Sequence, residues 1–127
     1  MIRNKILNSQ IEDVRDQEGN GLLLILLKKC YINKEIENLV KLLLIGEHKD
    51  NINQTNNKGE TPLIAAAKYD GSGSEQNVVN IMYALLAVKN INAYHKDTKG
   101  NTAFQYVLSN KRKERHKVLS AYDPFFK

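Results

Sequence analysis

The sequence predicts an all-α fold, a solenoid of about three helix-turn-helix repeats with hairpin-like connecting loops. The main observation is that the segment Gly59-Glu60-Thr61-Pro62-Leu63 returns twice in weaker form, beginning at Gly19 and at Gly100. These glycines stand 40 and 41 residues apart, a spacing typical of repeat arrays. A second observation is that apolar residues recur at helical spacing after each copy. We therefore expect one domain over the 127 residues.

The first full repeat begins at about Asp16. In that repeat an inner helix runs from Leu22 to about Cys30. A second helix follows Asn33, whose side chain can accept a hydrogen bond from an early backbone N–H. The three repeats and a short tail occupy about residues 16–54, 55–93, 94–122 and 123–127.

The second repeat carries the clearest local signals. Thr61 can cap a helix, and Pro62 fits its first turn, where no backbone N–H donor is needed. The short helix Leu63–Ala67 that follows contains three alanines, whose small side chains allow neighbouring helices to approach closely. A second, longer helix from about Glu75 to Val88 has apolar residues at helical spacing.

Two kinds of connecting segment are also recognisable. Asp70-Gly71-Ser72-Gly73, between the two helices of the second repeat, is predicted to protrude as a flexible loop. The segments Asn51-Ile52-Asn53 and Asn90-Ile91-Asn92-Ala93 match each other at the ends of the first two repeats. Each is predicted to form the extended arm of a hairpin.

The third repeat has the same order of turn, inner helix and outer helix. Its inner helix is predicted from Thr102 to Leu108, and a basic outer helix from about Lys113 to Tyr122 is stopped by Asp123-Pro124. Aromatic residues near the end either fold back as a cap or mark where a longer protein continues. They are Tyr122, Phe125 and Phe126.

These features resemble the ankyrin repeat. Residues Gly59 to Ala67 follow the most diagnostic stretch of that family, with Ile64 in place of its usual histidine, and the resemblance covers about Asp16 to Tyr122. It implies that residues 1–10 are the remnant of an N-terminal capping helix, in which Ile2, Ile6 and Leu7 cover the first full repeat. It also implies a non-catalytic module that binds a partner protein through its hairpin tips and the concave face of its inner helices. The strip of residues expected to bind the partner comprises Lys28, Lys58, Glu60, Lys68, Tyr69, Lys99 and Asn101 by matched position, with Tyr94 and His95 at its tip.

Tyr69 is the expected anchor of the strip, since tyrosine offers a large apolar area and a hydroxyl at low entropic cost. The alternative, that Tyr69 only shields the base of the inserted loop, stays open. Tyr94 and His95 are expected to extend the strip at its tip. Because lysines make the strip mildly positive, a partner with acidic patches is favoured.

No catalytic, cofactor or metal site is expected. Cys30 could act as a nucleophile with His48, His95 or His116 as the base, but no activating motif surrounds any of them. Cys30 is instead expected to pack against the core at a helix end. The sequence also has no Cys-x-x-Cys motif and no paired histidines.

The formal net charge of +5 is concentrated in one segment. Between Lys111 and Lys117, five basic residues and one acid supply 5 − 1 = +4. A final repeat needs a polar outer face, which explains such charge without a binding role. A basic helix could also bind phosphates or acidic side chains. The alternative function is therefore nucleic-acid or acidic-surface binding through Lys111–Lys117, which a steep salt dependence would reveal.

A cytoplasmic monomer is expected. The longest apolar runs fall far below the roughly 20 residues that cross a bilayer, and the first residues lack the pattern of a secretory signal. The single cysteine cannot form an internal disulfide, which agrees with a reducing compartment. Abundant Lys, Asn and Ile are frequent in ankyrin-like proteins of intracellular bacterial pathogens and some large viruses. That association suggests an effector-like role on host proteins, in the host cytoplasm.

Overall fold

The computed structural model describes residues 15–45, 52–71 and 73–125, and this part of the chain contains helices and no strand. The predicted all-α class is thereby confirmed. The predicted capping helix, residues 1–10, lies outside the described residues. Within the described residues, the six helices are α1 (Leu22–Lys29), α2 (Lys34–Leu43), α3 (Pro62–Lys68), α4 (Glu75–Leu86), α5 (Ala103–Asn110) and α6 (Lys113–Tyr122).

The helices form two rows. In the inner row α3 packs between α1 and α5, and in the outer row α4 packs between α2 and α6. Each inner helix also packs against the outer helix that follows it in sequence. Every repeat therefore buries its apolar surface against its neighbours, which is the layering of a solenoid.

The centre of the array is α3, whose alanines allow the close approach that the sequence predicts. Ala65, Ala66 and Ala67 are buried, with at most 4% of their surface exposed. The helix begins as predicted, because the Thr61 side chain accepts a hydrogen bond from the backbone N–H of Ile64 at 3.2 Å. A small, sharply capped helix in this place brings the inner helices on both sides close to each other.

Each repeat opens with the same tight turn, which is organised by one side chain. The Oδ1 atoms of Asp16, Asn56 and Asp97 each accept two backbone N–H groups, at 2.9 to 3.0 Å. The glycine three residues later has a positive φ in all three turns, for example +72° at Gly59. Successive turns are also joined directly, since Thr98 N donates to the carbonyl oxygen of Lys58 at 3.0 Å. The three hairpin tips therefore form one connected row.

The first predicted extended arm, Asn51-Ile52-Asn53, is different in the structure over its two described residues. Ile52 and Asn53 form a short turn of 3-10 helix instead of an extended arm. The turn buries the Ile52 side chain in the core, where it is 2% exposed. It also lets the Asn53 amide donate to Asn90 O and accept from Asn92 N, both at 2.7 Å. A side-chain bridge between repeats replaces the backbone pairing that an extended arm would make.

The inserted loop does not protrude along its whole length. Asp70 and Gly71 are exposed, but Ser74 N donates to Ile32 O at 3.1 Å and so ties the end of the loop to the first repeat. A Cβ atom at Gly73 would lie 2.4 Å from the same Ile32 oxygen. Gly73 therefore lies against the repeat before it. Only glycine allows this close approach.

Candidate functional site

Three of the predicted strip residues meet in one cluster, here called the triad: Lys28, Glu60 and Lys68. One oxygen of the Glu60 carboxylate accepts from Lys28 Nζ and the other from Lys68 Nζ, each at 2.5 Å. The Glu60 side chain is 1% exposed, whereas the lysine side chains are 21% and 33% exposed. A partner would therefore meet the two ammonium groups, which lie over the carboxylate and cover it.

The electrostatics of the triad keep Glu60 charged. Burial acts to raise the pKa of Glu60, but hydrogen bonds from Asn56, Lys28 and Lys68 outweigh it and lower the pKa to about 2. Burial acts to lower the pKa of Lys68, but the hydrogen bond to Glu60 outweighs it and raises that pKa. The triad thus holds two positive charges and one negative charge at neutral pH.

Further polar contacts connect the triad to the repeats on both sides. The amide of Asn56 donates to Glu60 and to the buried Asn20, both at 2.8 Å. On the other side, Lys68 Nζ lies 4.8 Å from the centre of the Tyr106 ring, and the Tyr106 hydroxyl donates to Asp97. These contacts restrict Lys68 on two sides. The positions of the ammonium groups therefore depend on all three repeats.

A cleft of about 440 Å³ opens beside the triad, between the ends of α1 and α3. Its size falls within the range of small-ligand and side-chain pockets. Both charged and aromatic side chains line it, so it can contact polar and apolar groups together. They include Lys28, Lys29, Tyr31, Lys68, Tyr69 and Asp70.

Tyr69, the predicted anchor, is half-buried beside this cleft. Its hydroxyl accepts from the backbone N–H groups of Ile32 and Gly73, both at 3.2 Å. The hydroxyl thus ties the base of the inserted loop to the first repeat, as the alternative interpretation of Tyr69 expects. The side chain nevertheless lines the cleft, so its structural contacts and a contact with a partner are compatible.

The hairpin tips carry the next group of predicted residues. Lys58 and Lys99 are exposed at equivalent positions of successive turns. Asn101 is half-buried, and its backbone N–H donates to Asp97 in the third turn. His95 is half-buried, and its Nε2 atom lies 3.1 Å from Gly59 O, which connects the third turn to the second.

Tyr94 lies in a different environment from the other strip residues. Its ring stacks on Phe104 with a centroid distance of 5.2 Å and an angle of 1° between the planes. Its hydroxyl donates to Asp123 at 3.1 Å, and Tyr122 packs nearby with a centroid distance of 6.4 Å. None of these described contacts involves the cleft. Tyr94 is still 53% exposed, so its surface is accessible at the end of the array.

The basic segment Lys111–Lys117 offers less free charge than its sequence indicates. Arg115 is 1% exposed and forms two 2.8 Å hydrogen bonds with the two carboxylate oxygens of Glu75. Arg112 lies 3.6 Å from the same carboxylate, and Lys117 pairs with Glu114. Among the described contacts, only the lysines at positions 111 and 113 of this segment have no ion pair.

Two groups of residues at the site were not identified from the sequence. The turn residues Asp16, Asn56 and Asp97 had a usable signal, since each precedes the repeated glycine by three positions. Tyr106 and Arg115 had no such sequence signal, because the role of each depends on a contact with a residue of the preceding repeat. A pattern along one helix does not reveal such partners.

The chemistry that the thiol and the imidazoles could perform is also limited by geometry. Cys30 is a free, half-buried thiol at the end of α1 and packs against the core. His95 contacts Gly59, the His116 ring lies 3.2 Å from the Ser120 hydroxyl, and His48 is outside the described residues. The described residues contain no cluster of three or more His, Cys, Asp or Glu side chains that could hold a metal ion. No helix among them has the length and apolar composition that crossing a membrane requires.

Comparison with protein families agrees with this geometry. A family model described as ankyrin repeats, in three copies, matches residues 26–125. No curated protein compared with the chain gives a significant match. The match covers both helices of each described repeat, apart from the first residues of α1.

Proposed function

Because the chain belongs to the ankyrin repeat family, we propose that it is a non-catalytic module that docks a partner protein on its concave face. Ankyrin repeats generally serve as protein–protein interaction modules and are typically non-catalytic. The docking surface would consist of the hairpin tips and the exposed side of the inner helices. It comprises the nine strip residues, with Glu60 acting through the two lysines that cover it.

The observation that carries this proposal is the rigid row of hairpin tips. Each turn is held by a side chain that accepts two backbone N–H groups, and Thr98 N joins the third turn to the second. A surface that is already ordered loses little conformational entropy on binding. The backbone positions that carry Lys58 and Lys99 are thus fixed, as a docking surface requires.

The charge of this row favours a partner with acidic patches, because Lys58, Lys96 and Lys99 are all exposed along it. The protein would act as a monomer in the cytoplasm, and its free cysteine is compatible with that compartment. An effector-like role on host proteins is the finer form of the proposal. It is supported by composition alone.

Nucleic-acid binding through Lys111–Lys117 has less support. A basic surface for phosphates needs several free cations on one face, but Arg115 is buried and two further cations of the segment have carboxylate partners. The two remaining lysines provide only a weakly positive surface for binding phosphates.

The proposal can be tested by capture of partners from cytosol on the immobilised protein, followed by mass spectrometry and by affinity measurement with the purified partner. The variant Lys58→Ala/Lys99→Ala should weaken binding by about 3- to 10-fold, since rim charges contribute modestly. The matched control is Lys111→Ala/Lys113→Ala, which removes two exposed lysines from the basic segment. Unchanged affinity in the first variant together with a loss in the second would refute docking on the concave face.

A further inference from the structure

We infer that the triad in the cleft is a subsite for a single carboxylate, supplied by an aspartate or glutamate in an extended segment of the partner. This inference rests on the proposed docking function and specifies the chemistry that one part of the strip recognises. Its basis is the arrangement of Lys28 and Lys68 on the two oxygens of Glu60.

The arrangement places two ammonium groups as a pair. Each lysine donates to a different oxygen of one carboxylate, so both nitrogen atoms lie within hydrogen-bond reach of a single carboxylate group. An ammonium group has three N–H donors, and the bond to Glu60 uses one of them. Donors remain on both nitrogens on the partly exposed side of the triad. A second carboxylate from a partner can bridge the same two nitrogens from the cleft.

The net charge of the triad favours a carboxylate as its ligand. Lys28, Lys68 and Glu60 together carry 2 − 1 = +1, which one carboxylate neutralises. A phosphate group carries about −1.5 to −2 at neutral pH and would leave excess negative charge beside the buried Glu60. The other two charged residues that line the cleft, Lys29 and Asp70, have opposite signs. The carboxylates of Asp16 and Glu18, which pair with Lys29, are not among the residues that line it.

The triad is also more rigid than an ordinary pair of surface lysines. Lysine pairs on a surface normally lose much side-chain entropy when they bind an anion. Here Glu60 holds both nitrogens, and the Tyr106 ring restricts Lys68 further. Much of the ordering has therefore occurred before a partner arrives. This pre-organisation distinguishes the triad from Lys58 and Lys99, which are exposed at the hairpin tips.

The side chains that line the cleft determine which kind of partner residue can lie next to the carboxylate. Tyr31 is 60% exposed, and Tyr69 is held in place by its two backbone donors. Both side chains line the cleft next to the triad. They provide apolar surface for the residue that neighbours the acid in the partner. The preferred ligand is therefore an acidic residue adjacent to an apolar one.

The experiment uses the full chain, immobilised, and degenerate 12-residue peptides with free choice at every position as the probe. Retained peptides are sequenced and aligned by residue enrichment. The wild type should enrich Asp or Glu at least threefold at one fixed position, next to an apolar residue. The variant Lys28→Met/Glu60→Gln/Lys68→Met makes the triad neutral without leaving a buried charge, and circular dichroism verifies its folding. It should lose that enrichment, whereas the control Lys111→Met/Lys113→Met, outside the strip, should keep it.

A second variant, Glu60→Gln, retains both lysines but removes the anchor between them. Its acid preference should spread over neighbouring positions, because the two nitrogens are no longer held together. Fixed-position enrichment that survives in the triple variant would overturn the inference, and so would wild-type peptides with no preferred acid. In both cases docking on the strip would stand. Retention of no peptide above the level of the heat-denatured protein would overturn the docking function as well.

Discussion

The buried Arg115–Glu75 pair should contribute strongly to stability, and the variant Arg115→Met tests this. The guanidinium donates two hydrogen bonds to Glu75 at 2.8 Å and two more to the carbonyl oxygens of Ala66 and Ala67, at 3.3 and 3.0 Å. Those carbonyls lie in the last turn of α3, where their other donors are the Tyr69 N–H, 3.3 Å from Ala66 O, and the Asn110 amide, 3.0 Å from Ala67 O. Arg115 thus joins α6 to α4 and also caps α3.

The expected magnitude follows from these contacts. Loss of one partner of a buried ion pair costs about 3 to 5 kcal/mol, because the remaining charge is left without compensation. The Glu75 side chain is 36% exposed, so water can solvate it after the substitution. We therefore expect the lower end of that range, about 3 kcal/mol, for Arg115→Met. That is a large fraction of the roughly 5 to 15 kcal/mol by which domains are stable.

The assay is urea unfolding followed by circular dichroism, with Lys113→Met as the matched control on the exposed side of α6. The control should change the free energy of unfolding by less than about 0.5 kcal/mol. Glu75→Gln should also destabilise the fold, because it leaves the buried Arg115 guanidinium without a counter-charge. The double variant should cost at least about 1 kcal/mol less than the sum of the two, since the residues are in contact. If Arg115→Met behaves like the control, the inferred role of this pair is incorrect.

Three further predictions concern the turns, the core and the triad. Gly59→Ala should cost about 2 kcal/mol and Gly100→Ala about 1 kcal/mol in urea unfolding. Both glycines have a positive φ, but their surroundings differ. A Cβ atom at Gly59 would lie 3.0 Å from Thr98 N, whereas no atom lies within 4 Å of a Cβ atom at Gly100. Equal costs for the two substitutions would refute the steric explanation. Ala66→Leu should cost about 2 to 3 kcal/mol in the same assay, because Ala66 is fully buried in the central helix, and a neutral effect would contradict close stacking. Finally, the pKa of Glu60 falls from 4.5 to about 2, so its stabilisation is complete above pH 4.5 and is lost as the pH falls toward 2. Glu60→Gln should remove a pH-dependent contribution on the order of 2 kcal/mol, allowing for solvent near the lysines, and a pH profile that matches the wild type would argue against it.

The local features of the fold could be predicted from sequence because their causes are local. Thr61 caps α3 through an N–H three residues later, and Asn33 caps α2 in the same way. Gly59 has the positive φ that its turn requires. The predicted bounds of α6 also agree with the structure, since proline cannot continue a helix beyond Asp123.

The composition of the candidate site could be predicted only in part. The matched positions correctly indicate which residues lie on the hairpins and at the ends of the inner helices. They do not indicate that Glu60 is buried, because its two lysines lie 32 positions before it and 8 positions after it. Similarly, Arg115 lies within a basic run that resembles a solvated face, and its carboxylate partner is 40 positions away.

The sequence by itself determined the repeat framework of this protein. Glycine, threonine, proline and alanine act through backbone conformation and side-chain volume, and these properties are the same wherever the residue is placed. Only the tertiary structure decided which charges are free to meet a partner. Whether a lysine or an arginine is available depends on which carboxylates the neighbouring repeats bring within reach, and that is a property of stacking.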